Sequence, residues 1–206
     1  MARQSVHYER AFEAYLRARR IPYVAVSEAR KALLPEPISH APHNPVSPGK
    51  AVDAPASLKS FDFVLYGPGQ NYLVDVKGRR DAGGRGRPNV PSRLESWVTR
   101  EDVHSLGRWE GLFGSGFVAA FVFMYWADAQ PADAHFVDVF EHDGAWYIPR
   151  LVTVRDYVPA MRTRSDRWKT VHVPGPAFRT LCRPLYNLFG PTPEREAPPR
   201  SLALRN

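Results

Sequence analysis

Phe61-Asp62-Phe63-Val64-Leu65-Tyr66, Gly67-Pro68-Gly69-Gln70-Asn71 and Tyr72-Leu73-Val74-Asp75-Val76-Lys77 form the continuous stretch whose reading decides the fold. Its flanks are rich in aromatic and β-branched residues and its middle in glycine, proline and asparagine, which predicts a β-hairpin. Side chains alternate faces along a strand, so Leu73, Asp75 and Lys77 share one face, with Asp75 roughly 7 Å from Lys77. Asp62 likewise shares a face with Val64 and Tyr66. Where those two faces coincide, two carboxylates converge beside an ammonium. Such carboxylates repel one another and lose hydration, a large cost unless a cation or hydrogen bonds compensate. Lys77 can neutralise one of them; a divalent cation would hold both. An exposed strand face with ordinary ion pairs would contain the same residues, so the triad needs support from elsewhere in the chain.

That support lies in the first helix. Ser5 is placed to cap it, Tyr8, Phe12, Tyr15 and Leu16 recur at helical spacing, and Pro22 closes it. With 100° per residue, Glu9 falls about 75° from the centre of the apolar stripe, Glu13 about 115°, and Arg10 on the far side. Glu9 therefore borders the core, and Glu13 leans toward solvent. A short strand over 23–26 follows, and then the Asp62 and Asp75/Lys77 strands.

The order of Glu9, Asp62, Asp75 and Lys77 on helix, strand and strand resembles the PD-(D/E)xK nuclease superfamily, in particular its Holliday-junction-resolvase-like branch. Glu9 precedes Leu16 as that branch's helix glutamate precedes a core leucine, and Asp75 fills the acidic position before the lysine. Phe61 stands where the motif has proline. The nuclease resemblance covers residues 5–127. His7-Tyr8-Glu9-Arg10-Ala11-Phe12-Glu13, with Arg20-Ile21-Pro22-Tyr23-Val24-Ala25-Val26, also resembles a bacterial group of largely uncharacterised proteins named for a HYExAFE signature.

The resemblance implies an α/β, restriction-endonuclease-like fold: a mixed β-sheet flanked by helices. It implies Glu9, Asp62, Asp75 and Lys77 as the catalytic set. Asp62, Asp75 and the backbone carbonyl of Val76 would offer hard oxygen ligands to Mg²⁺ or Mn²⁺, and Glu9 would hold a water or a second ion. Lys77 would orient the attacking water or stabilise charge on the transition state. Nucleic acid, DNA in the first place, is the implied partner, and a homodimer is the assembly common among resolvase-like relatives.

Composition agrees with an anionic partner. The formal charge is +7, carried largely by arginine, with Lys31, Lys50, Lys59, Lys77 and Lys169 as the lysines. Cys182 is the single cysteine, which excludes an intrachain disulfide framework. The longest apolar run, 117–126, is too short to span a bilayer and reads as a strand buried on both faces. A cytoplasmic location without membrane attachment is the expectation.

Two interruptions divide the chain. Residues 34–57 read as a Pro-rich insertion; its His40 and His43 lack the cysteine or acidic neighbours that would complete a metal site. Residues 78–95 read as a basic Gly/Arg loop, with Arg79, Arg80, Arg85, Arg87 and Arg93 as candidate phosphate contacts or simply as a solvated loop.

Beyond it, Thr99 is placed to cap a helix over 100–113 with Asp102 as its capping-box partner. Trp97 and Trp109 read as core residues rather than base-stacking platforms. A hairpin is expected around His142-Asp143-Gly144. Asp128, His135 and Asp138 read as solvent-facing. Further expectations are a helix over 154–162, a strand over 168–173 and a helix over 177–188 broken at Pro184. Residues 136–188 would form an α+β elaboration of one domain spanning 1–188, and 189–206 a mobile tail. The function expected is metal-dependent hydrolysis of phosphodiester bonds in DNA. The alternatives are a nucleic-acid-binding module that keeps the fold without turnover, and a protein-interaction scaffold.

Overall fold

A computed structural model describes residues 3–27, 58–80, 94–127, 129–131 and 138–189. The 34–57 insertion, Arg85, Arg87, Arg93, Asp128, His135 and the tail from residue 190 lie outside the described residues.

Helix α1 (Arg3–Ala18) buries Ala11, Phe12, Tyr15 and Leu16. It begins before Ser5, so that residue lies inside the helix and does not cap it. Its other end closes as a Schellman turn: Arg20 takes φ 56°, its N–H donates to the Arg17 carbonyl, and the Ile21 N–H donates to that of Leu16. The buried Ile21 side chain then aims the chain into β1 (Tyr23–Ala25).

Strands β2 (Phe63–Tyr66) and β3 (Asn71–Arg80) form the expected hairpin, with Phe63 opposite Val74. After β4 (Val98–Thr99), α2 (Arg100–Phe113) crosses over to β5 (Phe117–Ala127), which pairs parallel to β3 from Asn71↔Phe117 to Arg80↔Trp126. β6 (Phe140–His142) and β7 (Ala145–Thr153) meet at Asp143 and Gly144, both with positive φ, as a tight primed hairpin turn requires. The main sheet runs β1-β2-β3-β5-β7-β6, parallel at β3/β5 and antiparallel at its other pairings.

This is the α/β architecture expected, a mixed sheet flanked by helices in the order of a restriction-endonuclease-like core. One face, with Phe63, Leu65, Val74, Val76, Val122 and Met124, packs under α1. The other, with Val64, Leu73, Phe121, Phe123 and Tyr125, packs under α2, α3 (Val154–Ala160) and α4 (Gly175–Leu181).

Several expectations need correction. β3 continues through Arg80 because β5 supplies pairing partners that far, so Arg79 and Arg80 belong to a strand and not to a loop. β6 and β7 extend the central sheet and are not an appendage to it. The helix expected over 154–162 stops at Ala160, and β8 (Arg162–Ser165) follows, pairing with β9 (Thr170–His172) in a second sheet ordered β4-β9-β8. Asp138 does not face solvent: it is 2% exposed, accepts the Tyr15 hydroxyl at 2.6 Å and the Tyr186 N–H at 3.3 Å, and pairs with Arg19. A buried carboxylate with these donors ties α1 to α5 (Tyr186–Phe189). Pro184 separates α4 from α5, as expected.

Candidate active site

The site forms where β2 begins and β3 emerges from under α2. The Asp62 N–H donates to the Val74 carbonyl at 2.9 Å, and its own carbonyl accepts the Val26 N–H at 2.9 Å, so both neighbouring segments fix its backbone. Carried one residue beyond Phe63↔Val74, the hairpin register sets Asp62 opposite Asp75. Asp62 Oδ2 accepts the Val76 N–H at 2.7 Å, and the two carboxyls are within hydrogen-bonding reach of each other. Two carboxylates cannot hydrogen-bond without a proton between them. Lys77 Nζ lies 2.7 Å from Asp75 Oδ2 and 3.3 Å from Asp102 Oδ2.

Glu9 arrives from the other face of the sheet. The Tyr8 ring covers Gly78 so closely that a Cβ there would stand 2.0 Å from Tyr8 Cδ2, and the His7 and Tyr147 rings pack around it. That contact sets α1 against β3 and leaves half-buried Glu9 near enough for its charge to act on Asp62. Glu13 is engaged instead with Arg17 Nη2 at 2.7 Å and the Tyr23 hydroxyl at 2.8 Å.

Burial, reinforced by the Asp75 charge and to a lesser degree by Glu9, pushes the Asp62 carboxyl up to about 7, against the Val76 hydrogen bond that holds it down. Burial also raises Asp75, with Lys77 opposing. For Lys77, burial alone would lower the ammonium, but the charges of Asp75 and Asp102 more than offset it and raise it. Lys77 is therefore a cation at neutral pH and not a neutral amine.

Asp102 and Lys59 were not in the expected set. Asp102 was read as a helix cap, and it is one: its Oδ2 accepts the Thr99 N–H at 2.9 Å while Thr99 Oγ1 accepts the Asp102 N–H at 3.0 Å. The same carboxylate also faces Lys77 and accepts Lys59 Nζ on Oδ1 at 3.1 Å. Burial works against its ionisation, but Lys77 and the Thr99 N–H outweigh that and hold it below the usual carboxylate range. A signal for this was present in the sequence. A helix that crosses from one parallel strand to the next starts beside the C-terminal end of the first, where Asp75 and Lys77 stand. Lys59, itself 40% exposed, bonds Glu101 at 3.0 Å as well.

Arg79 does not behave as a phosphate contact. It is 9% exposed, donates to the Gly78 and Trp97 carbonyls, and stacks 3.9 Å from the Trp97 ring centroid. Strand alternation carries it inward on the Asp75/Lys77 face. Arg80 points the other way, exposed, 5.0 Å from the Trp126 ring centroid. Trp97 and Trp109 are partly buried, and Trp109 Nε1 donates to the Lys59 carbonyl, in keeping with a packing role.

Among the described residues, no group of three or more His, Cys, Asp or Glu side chains is spaced to hold a metal ion. The donors at hand still suit a hard cation. Two buried carboxyls stand opposite one another across the hairpin, and the Val76 carbonyl turns toward the β2 side, as that of Val74 does. In sequence, the chain matches no protein-family model and no curated protein. In structure it is similar to Hjc, a Holliday junction resolvase from the archaeal hyperthermophile Archaeoglobus fulgidus, with a TM-score of 0.46 and 14% identity, covering 88% of this chain and 97% of that one. No helix among the described residues is long and apolar enough to cross a membrane.

Proposed function

We propose that this protein is a divalent-metal-dependent nuclease that hydrolyses phosphodiester bonds in DNA, in the cytoplasm, with Glu9, Asp62, Asp75 and Lys77 as its catalytic set. The observation that carries this reading is the placing of Asp62 opposite Asp75 by the hairpin register, with the Lys77 ammonium 2.7 Å from Asp75. A pair of opposed carboxyls whose ionisation burial disfavours is a position where a divalent cation gains most.

Asp62, Asp75 and the Val76 carbonyl would hold Mg²⁺ or Mn²⁺, which when bound supplies Lewis-acid polarisation of the phosphoryl group. Lys77, kept protonated by Asp75 and Asp102, would donate hydrogen bonds to the charge that develops on the phosphoryl oxygens. It is unsuited to act as a base. Glu9, at the edge of the carboxylate pair, would orient the attacking water. Arg80 and the arginines at 85, 87 and 93 are the proposed contacts to the phosphate backbone.

The test incubates the purified protein with single-stranded, duplex and branched DNA in Mg²⁺ or Mn²⁺. Hydrolysis is expected, with Asp75→Asn and Lys77→Met each slowing it by about a thousandfold. A second reading, a nucleic-acid binder that keeps the fold without turnover, draws on one observation: Lys77 already occupies Asp75, and among the described residues no group of three or more His, Cys, Asp or Glu side chains is spaced to hold a metal ion. Binding of DNA with no hydrolysis on any of the three substrates would select it. A scaffold role predicts neither, with metal affinity unchanged in Asp75→Ala.

A further inference from the structure

The hairpin of β8 and β9 carries features that neither the core nor the carboxylate site uses. Between Arg162 and Lys169 it presents Arg162, Arg164, Arg167 and Lys169 against a single acid, Asp166. Trp168, at its tip, is 69% exposed, and Arg167 lies 5.3 Å from its ring centroid. Lys169 closes the turn at φ 47°, a conformation glycine takes freely, with its N–H donating to the Asp166 carbonyl. A large exposed aromatic and a left-handed lysine in one short turn are two departures from what folding alone favours.

The hairpin is also fastened to the site. Thr170 pairs with Thr99, the Arg100 N–H donates to the Lys169 carbonyl at 2.9 Å, and Arg100 Nη2 donates to Thr163 Oγ1 at 2.6 Å. Thr99 in turn caps Asp102, which faces Lys77. Arg164, although exposed, is engaged by Glu95 at 3.7 Å and lies over the Trp97 ring, which leaves Arg162, Arg167 and Lys169 as the cations considered for a ligand.

We propose that this hairpin is a DNA-docking wing in which Trp168 stacks on an unpaired base and Arg162, Arg167 and Lys169 contact the adjoining phosphates. Cations interleaved with an exposed indole suit a strand whose bases are free to stack, because an aromatic platform has nothing to engage in a fully paired duplex. The inference rests on the reading of DNA as the substrate. It extends that reading to a preference for single-stranded or locally unpaired DNA.

The test measures anisotropy of a labelled oligothymidine and of a blunt duplex of equal length, on the full chain, in chelator so that nothing is cut. Trp168→Ala is expected to weaken single-strand binding by about five- to a hundredfold and duplex binding by less, with Trp168→Phe recovering most of the loss. Replacing Arg162, Arg167 and Lys169 by glutamine is expected to reduce the slope of log affinity against log salt by about two. Because these side chains are exposed, melting temperatures should stay unchanged and certify the fold. Single-strand affinity in Trp168→Ala within about twofold of the unaltered protein overturns the inference, as does failure of the unaltered protein to bind either DNA. Trp168-dependent binding without hydrolysis in Mg²⁺ would remove the cleavage reading alone; hydrolysis with affinity indifferent to Trp168 would remove the wing alone.

Discussion

At the end of β3 the two faces of the central sheet meet opposite demands. Toward α1, the Tyr8 ring lies on bare Gly78 backbone, and Ala11, Phe12, Tyr15 and Leu16 continue the seal. Toward α2, the alternating positions Asp75, Lys77 and Arg79 put three charged groups under a helix. The apolar face can close by shape alone, whereas the polar face closes because Asp75 and Lys77 pair with each other and Arg79 finds two carbonyls and the Trp97 ring. The difference teaches that the apolar face sets the charge near the carboxylate pair: the Tyr8 ring fits where Gly78 has no side chain, and so seats α1 with the Glu9 charge close enough to act on Asp62. Gly78→Ala should therefore break the comparison most. Its Cβ would stand 2.4 Å from Tyr8 Cγ, the base of a ring already packed by His7 and Tyr147, so the ring cannot simply swing aside. A loss of about 1–3 kcal/mol in chemical denaturation is expected. An unchanged midpoint would mean that α1 is held mainly by its lower turns.

The polar face should respond to pH where the apolar face does not. The folded protein keeps the Asp62 proton up to about 7, while the unfolded chain releases it near 3.8. Between those values the folded state binds more protons, so stability falls as pH rises through the window. In metal-free protein the melting temperature is expected to drop from pH 4 toward pH 7 through this pair. Asp62→Asn, whose amide oxygen can still accept the Val76 N–H, should flatten that slope and stabilise the metal-free protein near pH 8 by about 1–2 kcal/mol. Added Mg²⁺ should raise the melting temperature of the unaltered protein more at pH 8 than at pH 5.5, and should do little for the variant. A metal-free melting curve that is flat across the window would show that the carboxyls do not share a proton.

These two faces also differ in how much of them could be read from sequence. Alternation in 72–77 placed Asp75 and Lys77 on one face, and the hairpin register, which sequence left open, adds Asp62 to it, because a two-residue period leaves no freedom once the register is set. The helical period placed Glu9 at a border for the same kind of reason. What escaped was long-range. Arg79 looked like a loop residue because Gly78 and the glycines after it resemble the start of a loop; only pairing with β5, contributed from beyond α2, keeps the strand going. Asp138 looked solvated because its partners, Tyr15, Arg19 and the Tyr186 N–H, are distant in sequence. β8 has no apolar alternation to announce it; its Arg-Thr-Arg-Ser sequence pairs on one edge and leaves its cations outside.

Asp102 was seen and only half understood, and separating its two duties gives the finest test of the comparison. As a cap it exchanges hydrogen bonds with Thr99; as an anion it faces Lys77 and Lys59. Thr99→Ala removes the hydroxyl that accepts the Asp102 N–H and leaves the charge in place. It should cost about 1 kcal/mol and leave the Lys77 amine titrating as before. Asp102→Asn keeps an oxygen for the Thr99 N–H and removes the charge, so its effect on helix stability should be the smaller of the two, while the Lys77 amine, relieved of one of its two anions, should titrate at lower pH. The measurement is NMR titration of the lysine side-chain signals in both variants. If Thr99→Ala lowers the Lys77 titration as much as Asp102→Asn does, the cap positions the anion and the two duties are one; if neither does, Asp75 alone holds the ammonium and α2 contributes only packing to the polar face.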